Sequence, residues 1–226
     1  MTIRLVFIAC LLVTAVCNAA TIETVPIPPD FILSGFGSSE VYRGETLRLP
    51  SGPAALANSL TVFVGPTSDF GASFHVLVTD VDTSIGFHPT NIIFESGTLN
   101  VPLFPLRSNP DEFVVDLGGL LLQPEHDYAW ILDYFVVGNP TAFVSMGTGL
   151  GSYPDGTAFS FPNGPFSPAG TRQDHFASNN WFVQQNQDFA FQLNFTPVAA
   201  VPEPATLLLF GLGLGGLLVL RRGIRA

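Results

Sequence analysis

The stretch 189–195, Phe189-Ala190-Phe191-Gln192-Leu193-Asn194-Phe195, alternates between large apolar residues and small or polar ones. Successive side chains of a β-strand point to opposite faces, so the odd-numbered residues would line one face and the even-numbered residues the other. A strand with this pattern belongs to a sheet that packs on a core with one face and meets water with the other. The stretch therefore predicts a half-buried β-strand.

Seven further runs have the composition of strands and are separated by turn-forming Gly, Pro and Asn residues. The chain contains 21 Phe residues, which suits two sheets that pack through a layer of aromatic rings about 10 Å thick. No amphipathic pattern long enough for a helix interrupts these runs. We therefore expect an all-β fold, with a single β-sandwich or jelly-roll domain over residues 20–200. The seven runs are 59–64, 73–79, 91–95, 112–117, 128–136, 142–146 and 181–184.

The charge of this domain restricts its partners. Residues 20–200 contain four arginines against 17 acidic residues (the 18 of the chain less Glu203), a net charge of −13. Such a surface repels nucleic acids and anionic membranes, so no nucleic-acid partner is expected. The chain has no lysine, which excludes a P-loop lysine and a lysine Schiff base.

Residues 1–19 have the pattern of a secretory signal peptide, in which Arg4 precedes the apolar stretch 5–16 and small residues flank the cleavage site. We expect them to direct export through the Sec machinery and to be removed by signal peptidase. Both cysteines of the chain, Cys10 and Cys17, lie in this segment. The mature protein would therefore contain no cysteine and no stabilising disulfide.

The last 26 residues combine a proline-rich motif, an apolar run and a basic end. The run 205–220 would give about 24 Å of helix, slightly less than the hydrocarbon core of a bilayer, so arginine side chains would have to reach the interface. The prolines keep the preceding motif extended, and the arginines favour a cytoplasmic C-terminus. We therefore expect one C-terminal transmembrane helix over 205–220. The motif is Val201-Pro202-Glu203-Pro204, and the basic tail 221–226 contains Arg221, Arg222 and Arg225.

This tail resembles the PEP-CTERM sorting signal, which marks exported bacterial proteins for an exosortase-type membrane protease. The resemblance implies that 201–226 is a sorting signal, that the helix enters the membrane transiently, and that cleavage occurs near Pro202-Glu203-Pro204. It also implies a final location at the cell surface or in the extracellular matrix, together with exopolysaccharide. A permanent membrane anchor for a periplasmic domain is the alternative interpretation of the same tail.

A second, looser resemblance covers residues 120–195 and links the domain to secreted bacterial jelly-roll modules. These modules include sugar binders and proteins of no assigned activity. The chain departs from them at Glu125-His126, where a Gly-containing turn is usual. The stretches that carry the resemblance are 122–130, 153–158, Trp181 and 188–193, the last with an Asp-aromatic-Ala-Phe pattern.

Catalytic motifs are missing from the sequence. It has no Gly-x-Ser-x-Gly nucleophile elbow, no cysteine beyond the signal segment, and four histidines without the spacing of a zinc site. We therefore predict a non-catalytic protein with no catalytic residues. A secreted carbohydrate-active enzyme or binding module stays open as the alternative, and an Asp/Glu pair in a concave groove would favour the enzyme.

Two sets of residues are candidates for binding. Trp181 and Tyr153 carry flat aromatic faces that suit sugar rings, and Asn179 and Asn180 would bond sugar hydroxyls, although core packing also explains the aromatic residues. Separately, the alternating oxygens of Asp80-Val81-Asp82 are candidate ligands of a structural calcium ion. No glutamate closes a 12-residue loop after them, which excludes an EF-hand, and no other cofactor is expected.

Overall fold

Strands make up almost all of the regular structure in the computed structural model, which describes residues 19–23, 32–34, 40–67, 72–84, 87–101, 111–134, 144–149, 153, 156–162, 170–184 and 188–198. All described strands belong to one compact unit, Asn18–Pro197. In chain order they are β1 (Ala20–Glu23), β2 (Ile32–Ser34), β3 (Glu40–Arg48), β4 (Ala55–Thr67), β5 (Ala72–Asp82), β6 (His88–Glu95), β7 (Leu99–Val101), β8 (Asp111–Leu122), β9 (Asp127–Asp133), β10 (Val144–Gly149), β11 (Ala158–Pro162), β12 (Phe182–Gln184), β13 (Asp188–Phe189) and β14 (Phe191–Pro197). A single helix in this part of the chain, α1 (Arg172–Phe176), lies between β11 and β12.

The strands form two antiparallel sheets of seven. In the first sheet, β4 pairs along one side with β8 and along the other with β14 and then β10, while β1 pairs with β14 and both β2 and β13 pair with β10. The second sheet has the order β12-β11-β3-β9-β5-β6, and β7 extends it beside β5. These pairings confirm the all-β prediction, whereas the jelly-roll connectivity stays a prediction.

The two sheets pack face to face through a shared apolar core. Trp130 of the second sheet is fully buried, and its ring centroid lies 6.3 Å from that of Phe189 and 5.7 Å from that of Phe191, both of the first sheet. Along β14 the buried residues alternate with half-buried ones, as the opening stretch predicted. Phe189 and Phe191 nevertheless belong to two strands, because the former pairs with β10 and the latter with β4.

The second sheet is buried on both faces. A second apolar cluster lies on its outer face, where α1 and Trp181 cover side chains of β3, β5, β9 and β11. This explains why six consecutive residues of β9 are buried and show no alternation. Gly44 allows β3 to approach β9 closely, since a Cβ atom there would lie only 1.9 Å from the carbonyl oxygen of Trp130.

The helix α1 lies in a range where the sequence shows no amphipathic pattern long enough for a helix. Its first turn is closed by a capping box, in which Asp174 Oδ2 accepts the Thr171 N–H at 2.6 Å and Thr171 Oγ1 accepts the Asp174 N–H at 3.3 Å. These bonds satisfy backbone donors that a short helix leaves free. Local capping therefore stabilises a helix too short to show an amphipathic pattern.

Both terminal predictions fall outside the described residues. This applies to the signal peptide 1–19 apart from Ala19, to the motif 201–204, to the run 205–220 and to the basic tail 221–226. Within the described part of the chain, no helix has the length and hydrophobicity needed to cross a bilayer.

Candidate functional site

Ion pairs hold α1 against the second sheet. Arg172 donates from Nη1 and Nη2 to the two carboxylate oxygens of Glu95, at 3.0 and 2.9 Å, and its Nη2 lies 2.6 Å from Asp133 Oδ2. Asp133 is completely buried, so this contact is shielded from water on the Asp133 side. The hydrogen bonds from Arg172 hold the pKa of Glu95 below its usual value. A second link joins Tyr42 Oη and His175 Nδ1 at 3.1 Å.

A groove of about 360 Å³ opens between β6 and α1. Phe176 and Pro89 bring apolar surface to it, while Asn91 and Gln173 bring exposed carboxamides that both donate and accept hydrogen bonds. Apolar surface beside a few polar side chains is typical of small-ligand sites. The groove is lined by Asp82, His88, Pro89, Thr90, Asn91, Gln173, Phe176 and Ala177.

Asp82 is the one carboxylate among the lining residues of this groove. It accepts the Ser84 N–H at 2.8 Å, and hydrogen bonds from the Ser84 side chain and backbone lower the pKa of Asp82. The group is thus an ionised acceptor at neutral pH. Glycoside hydrolysis ordinarily requires two carboxyl groups across the scissile bond, one of them protonated. The described lining residues can bind a ligand, but they include no second carboxyl group for glycoside hydrolysis.

Trp181 takes part in the outer apolar cluster. Its ring lies 5.0 to 6.0 Å, centroid to centroid, from the rings of Tyr42, Phe87, Phe159, Phe161 and Phe176. Its indole N–H is buried and has no hydrogen-bond partner among the described residues. Asn179 and Asn180 precede it and are exposed, in the turn after α1. These contacts match the core-packing alternative for Trp181, and a role in sugar binding stays untested.

Tyr153 packs against the other face of the second sheet. Its ring meets that of Phe191 edge-on at 6.0 Å, and its hydroxyl donates to the Arg48 carbonyl at 2.6 Å while accepting the Arg48 N–H at 2.9 Å. Tyr153 therefore contacts the cluster between the sheets, whereas Trp181 belongs to the outer cluster. The structure does not bring the two predicted sugar-binding aromatic residues together in one cluster.

The candidate calcium ligands are engaged with protein donors. Asp80 Oδ1 lies 3.1 Å from His126 Nε2, and Asp80 Oδ2 accepts from Asn91 Nδ2 at 3.3 Å. Asp82 Oδ1 accepts from Ser84. Among the described residues, no three His, Cys, Asp or Glu side chains form a group that could hold a metal ion. A calcium site at Asp80 and Asp82 therefore stays a prediction without a visible ligand shell.

A pair of acids that the sequence did not single out lies inside the sandwich. Glu45 has no exposed surface and Asp188 is 9% exposed. Burial, and next the negative charge of Asp188, raise the pKa of Glu45 to about 9 against the opposing effect of the Phe189 N–H bond. Two features of the sequence could have pointed to this pair. One is the acid next to Gly44, and the other is the Asp of the Asp-aromatic-Ala-Phe pattern. Both acids lie in the interior, and neither lines the groove.

Comparison with known proteins identifies the tail. Residues 200–223 match the PEP-CTERM protein-sorting motif, which confirms the resemblance seen in the sequence. No curated protein matches the chain. One similar solved structure contains the cysteine protease and lectin-like domains of Cwp84, a surface layer associated protein of Clostridium difficile, with a TM-score of 0.39 and 10% identity. The similarity covers 70% of this chain, which spans 32% of that one.

Proposed function

We propose that this chain, whose tail matches the PEP-CTERM sorting motif, is an exported, non-catalytic protein of the cell surface or extracellular matrix. An exosortase would recognise residues 201–226 as a sorting signal and cleave them from the protein. The β-sandwich would then be released into a matrix of exopolysaccharide. The motif match at 200–223 carries the proposal. The start of β1 at Ala20, directly after the predicted signal cleavage site, supports export with removal of residues 1–19.

Mass spectrometry of the protein isolated from its producing cells tests this proposal. We expect a mature form that lacks residues 1–19 and 205–226, and a longer form that keeps the tail when the exosortase is deleted. Glu203→Gln should slow tail removal, because Glu203 is the only charge in the motif, whereas Glu23→Gln should leave processing unchanged. A mature protein that retains 205–226 would refute sorting cleavage and establish the permanent anchor instead.

A second candidate function is carbohydrate binding in the groove between β6 and α1. The observation that favours it is the combination of Phe176 and Pro89 with the carboxamides of Asn91 and Gln173 in one recess. Sugars present apolar C–H faces and arrays of hydroxyls, and this combination suits both. Asp82 is the single carboxylate among the described residues that line the groove, and this favours a binding module over an enzyme.

Affinity electrophoresis in gels that contain the producer's own exopolysaccharide tests the groove. A hydrogen bond contributes about 0.5–1.5 kcal/mol, so Asn91→Ala with Gln173→Ala should weaken binding by roughly tenfold. Gln123→Ala is the matched control, since Gln123 is exposed and does not line the groove. Retardation of the double variant equal to that of the parent would exclude the groove. Weaker binding by Trp181→Ala alone would favour the site predicted from the sequence.

A further inference from the structure

The carboxyl group of Glu45 is incompletely satisfied inside the sandwich. Oε2 accepts the backbone N–H of Phe189 at 2.5 Å. Oε1 is buried and has no hydrogen-bond partner among the described residues. A buried polar atom without a partner is costly, and an acidic oxygen more so, which calls for an explanation of what this oxygen binds.

Asp188 brings a second carboxyl group to the same place. It directly precedes Phe189, the residue that bonds Glu45, and burial of Glu45 together with the negative charge of Asp188 raises the pKa of Glu45. Asp188 Oδ2 also accepts the Tyr153 N–H at 3.4 Å. Two like charges in a buried site repel one another unless a proton or a cation lies between them.

The main chain at Gly156 also lies close to Oε1 of Glu45, the oxygen without a hydrogen-bond partner. The Gly156 N–H donates to the Tyr153 carbonyl at 3.0 Å. A Cβ atom at Gly156 would lie 2.5 Å from Glu45 Oε1 and 2.4 Å from the Tyr153 ring. The glycine thus lets the backbone approach the carboxyl group more closely than any other residue would allow.

We propose that Glu45 and Asp188 are the carboxylate ligands of a structural calcium ion that links β3 and β13 beside Tyr153 and Gly156. Calcium takes six to eight oxygen ligands in flexible geometry, including backbone carbonyls and waters, so two carboxylates suffice as its charged ligands. The ion binds the oxygen that has no protein partner and neutralises two charges in a domain of net charge −13. This site is separate from Asp80 and Asp82.

Thermal unfolding of the full chain in a mild detergent, after treatment with EDTA, tests the proposal. At calcium concentrations near 100 times the dissociation constant, we expect the melting temperature to rise by roughly 5–10 °C. Glu45→Gln and Asp188→Asn keep the side-chain size and remove the charge, and each should abolish the rise. Asp80→Asn, Asp82→Asn and the exposed Glu112→Gln are matched controls that should keep it. A rise that survives in Glu45→Gln, or that disappears in Asp80→Asn, would overturn the assignment.

Terbium luminescence gives a second measurement that needs no variant. Trp130 lies opposite Glu45 in the β3–β9 register, and Tyr153 lines the site, so a bound terbium ion would be excited through aromatic neighbours. We expect luminescence that saturates with terbium and is displaced by calcium, and that weakens as pH falls because protons compete for the carboxylates. If the two acids share a proton in place of a metal ion, neither terbium luminescence nor a calcium-dependent melting temperature should be observed. That result would refute the proposal.

Discussion

Replacement of Arg172 by alanine is expected to destabilise the protein by about 3–5 kcal/mol. Arg172 is the cation 2.6 Å from Asp133, which has no exposed surface. Removal of one partner from a buried ion pair leaves the other charge buried, and this typically costs about 3–5 kcal/mol. The contact with Glu95 adds at most about 1 kcal/mol, because the Glu95 side chain is 36% exposed and water screens it.

Urea denaturation followed by circular dichroism and by fluorescence measures this loss. The chain has two tryptophans, one in each apolar cluster, so fluorescence reports on both faces of the second sheet. Because Trp181 packs against Phe176 of α1, the fluorescence of Arg172→Ala should change at lower urea than the sheet signal does. The same variant should lose polysaccharide binding if the groove is the site.

Two further variants separate the buried pair from the exposed one. Glu95→Gln should cost no more than about 1 kcal/mol, and Asp133→Asn combined with Arg172→Ala should recover much of the loss, since the double variant leaves no charge at position 133. If Arg172→Ala destabilised the protein no more than Glu95→Gln, the buried contact with Asp133 would not hold α1 in place.

Three other predictions concern single residues. Gly44→Ala should prevent β3 from pairing with β9, because its Cβ would meet the Trp130 carbonyl at 1.9 Å, and should yield little folded protein, while Gly97→Ala, with open space around it, should express normally. Thr171→Ala removes the cap of α1 and should lower the stability measured in urea by about 1 kcal/mol. In EDTA, the raised pKa of Glu45 means that the folded chain keeps a proton which the unfolded chain releases, so the stabilisation contributed by this group should be complete below pH 4.5 and fall by up to about 4 kcal/mol between pH 5 and 8. Glu45→Gln should remove this fall, and parallel pH profiles for parent and variant would contradict it.

The alternation of apolar and polar residues predicted β14, in which one face meets water and the other does not. In β14 the alternation of Phe191, Leu193 and Phe195 with polar residues survives in the structure, because its two faces have different surroundings. The strand β3 was missed, because Arg43 and Glu45 interrupt its apolar pattern, although residues 41–47 are all buried. β11 was missed as well, although its Phe159 and Phe161 are fully buried.

The candidate sites could not be predicted because they assemble from distant segments. The groove joins Asp82 of β5 and residues 88–91 of β6 to residues 173, 176 and 177, and the acid pair joins positions 45 and 188. No local spacing connects such segments before the sheet order is known. Trp181 is the opposite case, because here the local sequence was misleading. Three polar residues precede it and suggested an exposed ring, whereas the fold places that ring among five aromatic neighbours.

The last strand also determines how the domain would carry a mechanical load. β14 pairs antiparallel with β4 over seven residue pairs and with β1 over four, and its chain runs directly on toward the sorting motif. A pull on the tail would act along the length of β14, so the hydrogen bonds on both of its edges would be loaded together in shear rather than peeled open one at a time. If the domain were held by its tail, tension along β14 would have to break a whole ladder at once before the sandwich opened.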